Sequence, residues 1–252
     1  MRIGSLFSGI GGLELGLEWA GIGETVWQVE IDPGCRVVLK SHWPGSERYE
    51  DVRAVGVRNL SSVDLICGGF PCQDVSSAGK RAGLSGARSG LWFEYLRIVS
   101  ELRPTWVVVE NVASGARAWV DTVLTGLGEL GYACLPIPLS AADVGAPHLR
   151  KRIFVVANAD TSSKHAVPID AEVARSQELV SDADEERREG AQPAARGWGS
   201  PVPDILRVVH GLPDRLDARN ANTRPRIAAL GNSVVPQCSE VIGHVIKELM
   251  ST

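Results

Sequence analysis

From its first residues the chain runs a β-forming stretch into a glycine turn and then into helical period. Arg2 to Phe7 reads as a strand, Ser8-Gly9-Ile10-Gly11-Gly12 as the turn, and Leu13, Leu17 and Ala20 share one helical face. The alternation continues. Val26 to Ile31 predicts a second strand, followed by Asp32 as a helix N-cap and Pro33 at the first helical position. Val63 to Cys67 predicts a third strand. Leu91, Trp92, Tyr95, Leu96, Val99 and Leu102 then repeat as an amphipathic helix, and Thr105 to Val109 forms the next strand. Val120, Val123, Leu124, Leu127 and Leu130 make another helix ended by Gly131, and Cys134 to Leu139 and Arg152 to Ala157 close the series. Strands alternating with helices over about 159 residues specify an α/β sheet domain.

Composition sets the class. The chain has 252 residues, is 44% hydrophobic and 22% charged, and has no apolar run long enough to span a membrane. The early Gly4 and Ser5 spoil a signal-peptide apolar region, so a cytoplasmic location is expected. Five scattered cysteines fit a reducing compartment, and Cys67 and Cys72 alone make a poor zinc knuckle, so no metal is expected. The net charge of −4 conceals an asymmetry: residues 170–190 carry a local −5, which leaves the remainder at +1. The boundaries read as 1–158 for the sheet domain, 159–203 for a loop-like insert, and 204–252 for a C-terminal segment ending in a helix with Val241, Ile242, Val245, Ile246 and Leu249 on its apolar face.

Three sites follow strands. The glycine turn lets backbone approach a nucleotide-like ligand, but Glu14 stands where a dinucleotide fingerprint has its third glycine, and a carboxylate there opposes a pyrophosphate. A nucleoside without phosphates fits better, with Glu30 placed to read ribose hydroxyls. Taken alone, the same residues equally describe a tight turn and a surface acid. Gly68-Gly69-Phe70-Pro71-Cys72-Gln73-Asp74-Val75-Ser76 presents a cysteine on a shaped loop, although an average cysteine is a small core residue. Glu110-Asn111-Val112, read as following its strand, brings a carboxyl group to the same sheet edge. Thiol and acid together suit covalent catalysis with acid assistance.

Together these blocks resemble the DNA (cytosine-5)-methyltransferases of the bacterial modification type. The matching runs are Phe7 to Gly12, Glu30, Asp51-Val52, Gly69 to Gln73, Gly90 to Glu94, Glu110 to Val112, Arg150-Lys151-Arg152 and Gly231 to Pro236. The resemblance implies a Rossmann-like sheet, mostly parallel with one reversed strand, that binds S-adenosylmethionine and carries a small target-recognition insert. It implies that Phe7 stacks on the adenine, that Gly9 and Gly11 shape the methionine pocket, that Ser8 and Gly12 also bind the cofactor, that Glu30 holds the ribose and Asp51 the adenine amino group, and that Trp92, Asn232 and Val234 complete the pocket. Cys72 becomes the nucleophile toward cytosine C6, Glu110 the acid at N3, and Arg150 and Arg152 the contacts to the flipped base or its phosphate. Pro71, Gln73, Ser76 and Asn111 line the substrate side. Double-stranded DNA is the implied partner, with base flipping needed to expose the ring. The modification type implies a companion restriction endonuclease, and a monomer is expected.

His148 stands where the family commonly has glutamine, and the insert is short and acidic, which opposes phosphate contact. Two readings of the insert stand equally, a flexible, partly disordered segment and a compact recognition module using Arg196, Trp198 and nearby glycines. Two other readings share the motifs: an RNA cytosine-5 methyltransferase, and a non-catalytic or partner-dependent paralogue that binds DNA or cofactor. Thiol chemistry follows the thiolate fraction, so Cys72 is expected to be the most reactive of the five cysteines.

Overall fold

The computed structural model describes residues 1–71, 90–159 and 231–251. Along these residues run β1 (Arg2–Leu6), α1 (Gly12–Trp19), β2 (Glu24–Val29), α2 (Pro33–His42), β3 (Glu47–Tyr49), β4 (Leu65–Gly68), α3 (Leu91–Leu102), β5 (Trp106–Val112), α4 (Ala116–Glu129), β6 (Ala133–Ser140), β7 (Lys151–Asn158) and α5 (Pro236–Ser251). The strands form one seven-stranded sheet in the order β3-β2-β1-β4-β5-β7-β6. Only β7 runs against its neighbours, pairing antiparallel with both β5 and β6. The expected α/β class, with a single reversed strand, is therefore present.

Local sequence explains most of these elements. Asp32 caps α2 by accepting from the Cys35 backbone N–H at 2.9 Å, with Pro33 next to it. Gly131 takes a left-handed φ of 85° and ends α4 by donating to the Gly128 carbonyl. One strand escaped the pattern. Glu47–Tyr49 is three residues at the sheet edge, too short and too polar for alternation to register.

A hydrophobic layer covers each face of the sheet. On one, Trp27, Trp92, Tyr95 and Trp119 pack with Val107 and Val109 beneath α3 and α4. On the other, Ile3, Leu65, Val108 and Phe154 meet Leu13 and Leu17 of α1 and Ile242 and Ile246 of α5. Burying one such aromatic or aliphatic side chain contributes roughly 2–3 kcal/mol. α5 lies directly on α1: a side chain at Gly16 would strike the Pro236 carbonyl and Ser239, and one at Gly243 would strike Ala20. This close seat returns the C-terminal segment to the glycine turn. Residues 160–230, which include Arg196, Trp198 and the second insert boundary, lie outside the described residues.

Candidate active site

The carboxyl ends of β1, β2, β4 and β5 open into a cleft of about 640 Å³, lined in part by Phe7, Gly9, Glu30, Asp51, Glu110, Arg152 and Asn232. This is within the range of small-molecule sites and lies where ligands bind in α/β sheets. Its first wall is the glycine turn. Gly9 and Gly11 have φ of 55° and 89°, and Phe7 itself has a φ of 55°, a conformation uncommon outside glycine. Gly9 would carry a side chain into open space, so its freedom serves backbone conformation and ligand access. Gly11 does not line the cleft. It starts α1, and a Cβ there would collide with the Trp43 ring.

Glu30 spans the turn. One carboxylate oxygen accepts from Gly9 N–H at 2.7 Å and the other from Asp32 N–H at 2.8 Å. Asp51 caps a single helical turn by accepting from Arg53 N–H at 2.9 Å. Both acids lie at the cleft, as their sequence positions indicate. Ser8, Gly12 and Val234 border a smaller pocket that opens off it.

Trp92 is a correction. It is fully buried beside Phe70 (5.5 Å between ring centroids) and Tyr95, and Leu91 takes its place on the cleft wall. A periodic pattern identifies the inward face of α3 without telling core from pocket. Trp92 and Trp119 instead anchor Phe70, which fixes the start of the Phe70-Pro71-Cys72 loop.

The opposite wall carries the acid. Glu110 lies inside β5, opposite Phe154 of β7, rather than beyond the strand's end. Its carboxylate is 2.7 Å from the Arg152 guanidinium. Burial pushes the Glu110 carboxyl up from the usual range, and Arg152, then Arg150, offset part of that rise. Asn111 turns toward the neighbouring loop and donates to the Phe70 carbonyl at 3.0 Å. A Cβ at Gly69 would lie 2.5 Å from a Glu110 oxygen, so a larger residue there would displace the acid.

Arg150 also differs from expectation. Its two terminal nitrogens donate to the Gly231 and Ser233 carbonyls, each at 2.7 Å. The guanidinium is thus spent on the two peptides flanking Asn232. It ties the C-terminal segment to the start of β7, while Arg152 faces the cleft. Spacing alone, two arginines separated by one residue, does not distinguish these tasks. Asn232 and Val234 stand in the segment ahead of α5.

Pro71 lines the cleft, and Cys72, Gln73 and Ser76 lie outside the described residues. Three of the remaining cysteines are buried, and burial pushes their thiols up, Cys35 and Cys238 to about 11 and Cys67 well above its usual range. Leu91, Cys35 and Ser114 are cleft residues that the sequence reading passed over, since nothing in their spacing marks them.

The family description "C-5 cytosine-specific DNA methylase" matches residues 1–193. The chain is 36% identical over 169 residues to the Type II methyltransferase M2.BsuMI of Bacillus subtilis (strain 168), covering 63% of this chain and 42% of that protein. It is 34% identical over 160 residues to the Type II methyltransferase M.HhaI of Haemophilus parahaemolyticus, covering 62% and 48%. The chain thus spans about half the length of these curated relatives. Among solved structures, the Dnmt2 methyltransferase of S. pombe superposes with a TM-score of 0.63 over 99% of both chains at 16% identity, a likeness of fold. With the family match extending over most of its length, and the glycine turn, Glu110 and Arg152 gathered at one cleft, the chain belongs to the C-5 cytosine-specific DNA methylases.

Proposed function

We propose that this chain methylates C5 of cytosine in double-stranded DNA, using S-adenosylmethionine, as a modification enzyme. The single observation that carries the reading is Glu110, buried at the cleft and paired with Arg152 at 2.7 Å, beside the loop that leads into Cys72. The Type II names of the relatives support a modification role, in which a restriction endonuclease of the same specificity accompanies the enzyme.

The cleft suits the cofactor. Its volume accommodates a nucleoside with an amino-acid tail, Glu30 and Asp51 offer acceptors for hydroxyl and amino groups, and the carboxyl groups at the turn disfavour a pyrophosphate. When bound, S-adenosylmethionine supplies an electrophilic methyl group on a sulfonium.

Cytosine C5 is a weak nucleophile, so the chain's own groups must activate the ring. The Cys72 thiolate adds to C6, forming a C–S bond while electron density moves toward N3. Glu110 in its protonated form donates a hydrogen bond, or the proton itself, at N3, and its raised proton affinity suits that role. C5 then takes the methyl group, a base removes the C5 proton, and the thiolate leaves to restore the aromatic ring. Arg152 holds Glu110 in place and borders the space the base enters. Asn111 steadies the Phe70 carbonyl, two residues ahead of Cys72 in the sequence. The base reaches these groups only when flipped out of the duplex.

Action on DNA in the cytoplasm as a monomer is part of this proposal; among the described residues no helix is long and apolar enough to cross a membrane. The test is transfer of labelled methyl groups to mixed-sequence duplex DNA, with bisulfite sequencing of the product. Methylation in one short context is expected, and Cys72→Ala should abolish transfer while leaving cofactor binding intact. Transfer retained by that variant would reject the mechanism, and preferential methylation of RNA in competition would reject the substrate.

A further inference from the structure

Glu14 is a buried acid that the proposed mechanism leaves without a task. It lies in the first turn of α1, is 0% exposed, and neither carboxyl oxygen has a hydrogen-bond partner among the described residues. An ionised carboxyl buried in this way is costly without a partner. The surroundings supply only weak ones. Ser5 and Ser8 stand nearest, but the Ser8 hydroxyl is directed to Ser5 Oγ at 2.8 Å. Glu14 borders the smaller pocket, together with Ser5, Ser8, Gly12, Glu110 and Asn232. Phe7, Gly9, Gly69, Glu110, Asn232 and Ser233 line both cavities, so the pocket is a side chamber of the cleft.

We propose that Glu14 receives the α-ammonium group of the cofactor's amino-acid tail in this chamber, directly or through one water. The inference rests on the cofactor reading above and adds a residue to it. The partner missing from the folded chain would arrive with the ligand. Its required chemistry is a compact cation with several N–H donors, and a primary ammonium has that form. Among the described residues no group of three or more His, Cys, Asp or Glu side chains gathers to hold a metal ion.

Before the ligand binds, burial pushes the Glu14 carboxyl up to about 7. The other titratable groups around it are Glu18 on the same helix and the Cys67 thiol on β4, with Glu110 of β5 across the chamber. From α5 the Ser239 hydroxyl meets the Gly12 carbonyl, and His244 is exposed. None of these supplies a cation. Binding of the ammonium therefore exchanges a proton for a cation: the O–H bond of Glu14 breaks, the proton leaves to solvent, and the carboxylate accepts from the ammonium.

The experiment is titration calorimetry with S-adenosylhomocysteine, which carries the tail, and with 5′-methylthioadenosine, which lacks it. Runs at pH 6 in two buffers of different ionisation enthalpy give the protons released. The unaltered protein should release nearly one proton per S-adenosylhomocysteine and about none with 5′-methylthioadenosine. Glu14→Gln should lose that release and weaken S-adenosylhomocysteine by about tenfold or more, with 5′-methylthioadenosine unchanged. Equal S-adenosylhomocysteine affinity and equal proton release in the variant overturn the proposal. If Glu14→Gln does not fold, the unaltered protein decides alone: equal proton release with the two ligands overturns it. A protein that binds neither ligand overturns the cofactor reading as well, an outcome distinct from the loss of the tail's contribution alone.

Discussion

Glu110 and Glu14 border the same chamber and both are buried, yet the strands beside them treat them oppositely. Glu110 sits where β7 runs antiparallel to β5, and that reversed strand brings Arg152 to 2.7 Å from it. Glu14 sits under α1 against parallel strands that offer hydroxyls and a thiol, with no cation. A charge can be kept in the interior when the chain supplies its counter-charge, and otherwise the group stays protonated until something else does. The single reversed strand thus equips one side of the site with a permanent partner and leaves the other open to a ligand.

The largest expected effect comes from removing that permanent partner. Arg152→Ala leaves Glu110 buried without its principal cation, which should cost about 3–5 kcal/mol in urea unfolding and raise the Glu110 pKa further. An unfolding midpoint within error of the unaltered protein would mean that the pair contributes little and that the contrast with Glu14 is illusory.

Glu14 should set a slope in stability. Its folded proton affinity is raised from 4.5 to about 7, so the folded state holds a proton that the unfolded state loses first. Its contribution is fully present below about pH 4.5 and is lost as pH rises to about 7, a decline of about 2–4 kcal/mol from this group alone. Comparing Glu14→Gln with the unaltered protein by urea unfolding between pH 4.5 and 8 isolates it: the variant's relative stability should grow across that window and then level. Parallel curves would remove the buried acid from the argument.

Arg150→Ala, which releases the carbonyls flanking Asn232, should weaken cofactor binding by about tenfold, with Arg150→Lys restoring part of it. Weakened DNA binding with unchanged cofactor affinity would return Arg150 to the substrate. The smallest effect belongs to the cofactor wall far from either acid. Asp32→Ala removes the α2 cap and should cost about 1 kcal/mol in unfolding, with little change in turnover.

Much of this was legible beforehand. The glycine turn, Glu30 and Glu110 stand out by residue type and position along the chain, Asp51 and Asn232 through the family resemblance, and Phe7, Gly9, Glu30, Asp51, Glu110 and Asn232 all line one cleft. The exceptions share a cause. Trp92 and Leu91 are adjacent on one helix, and whether a ring faces core or cavity depends on the loop packed above it. Arg150 and Arg152 belong to one basic motif, and only the arrival of residues 231–233 separates the tether from the cleft residue. The edge strand β3 is too short to carry a period.

By itself the sequence determined the α/β class, the order of most strands and helices, the caps of α2 and α4, and the candidates for chemistry, because periodicity, turn residues and capping act over a few neighbouring residues. The tertiary structure alone decided which acid keeps a counter-charge, which arginine faces the cleft, and that Glu14 is buried without a partner among the described residues. Those outcomes depend on desolvation and on contacts between residues as many as 227 positions apart, and no local pattern encodes either.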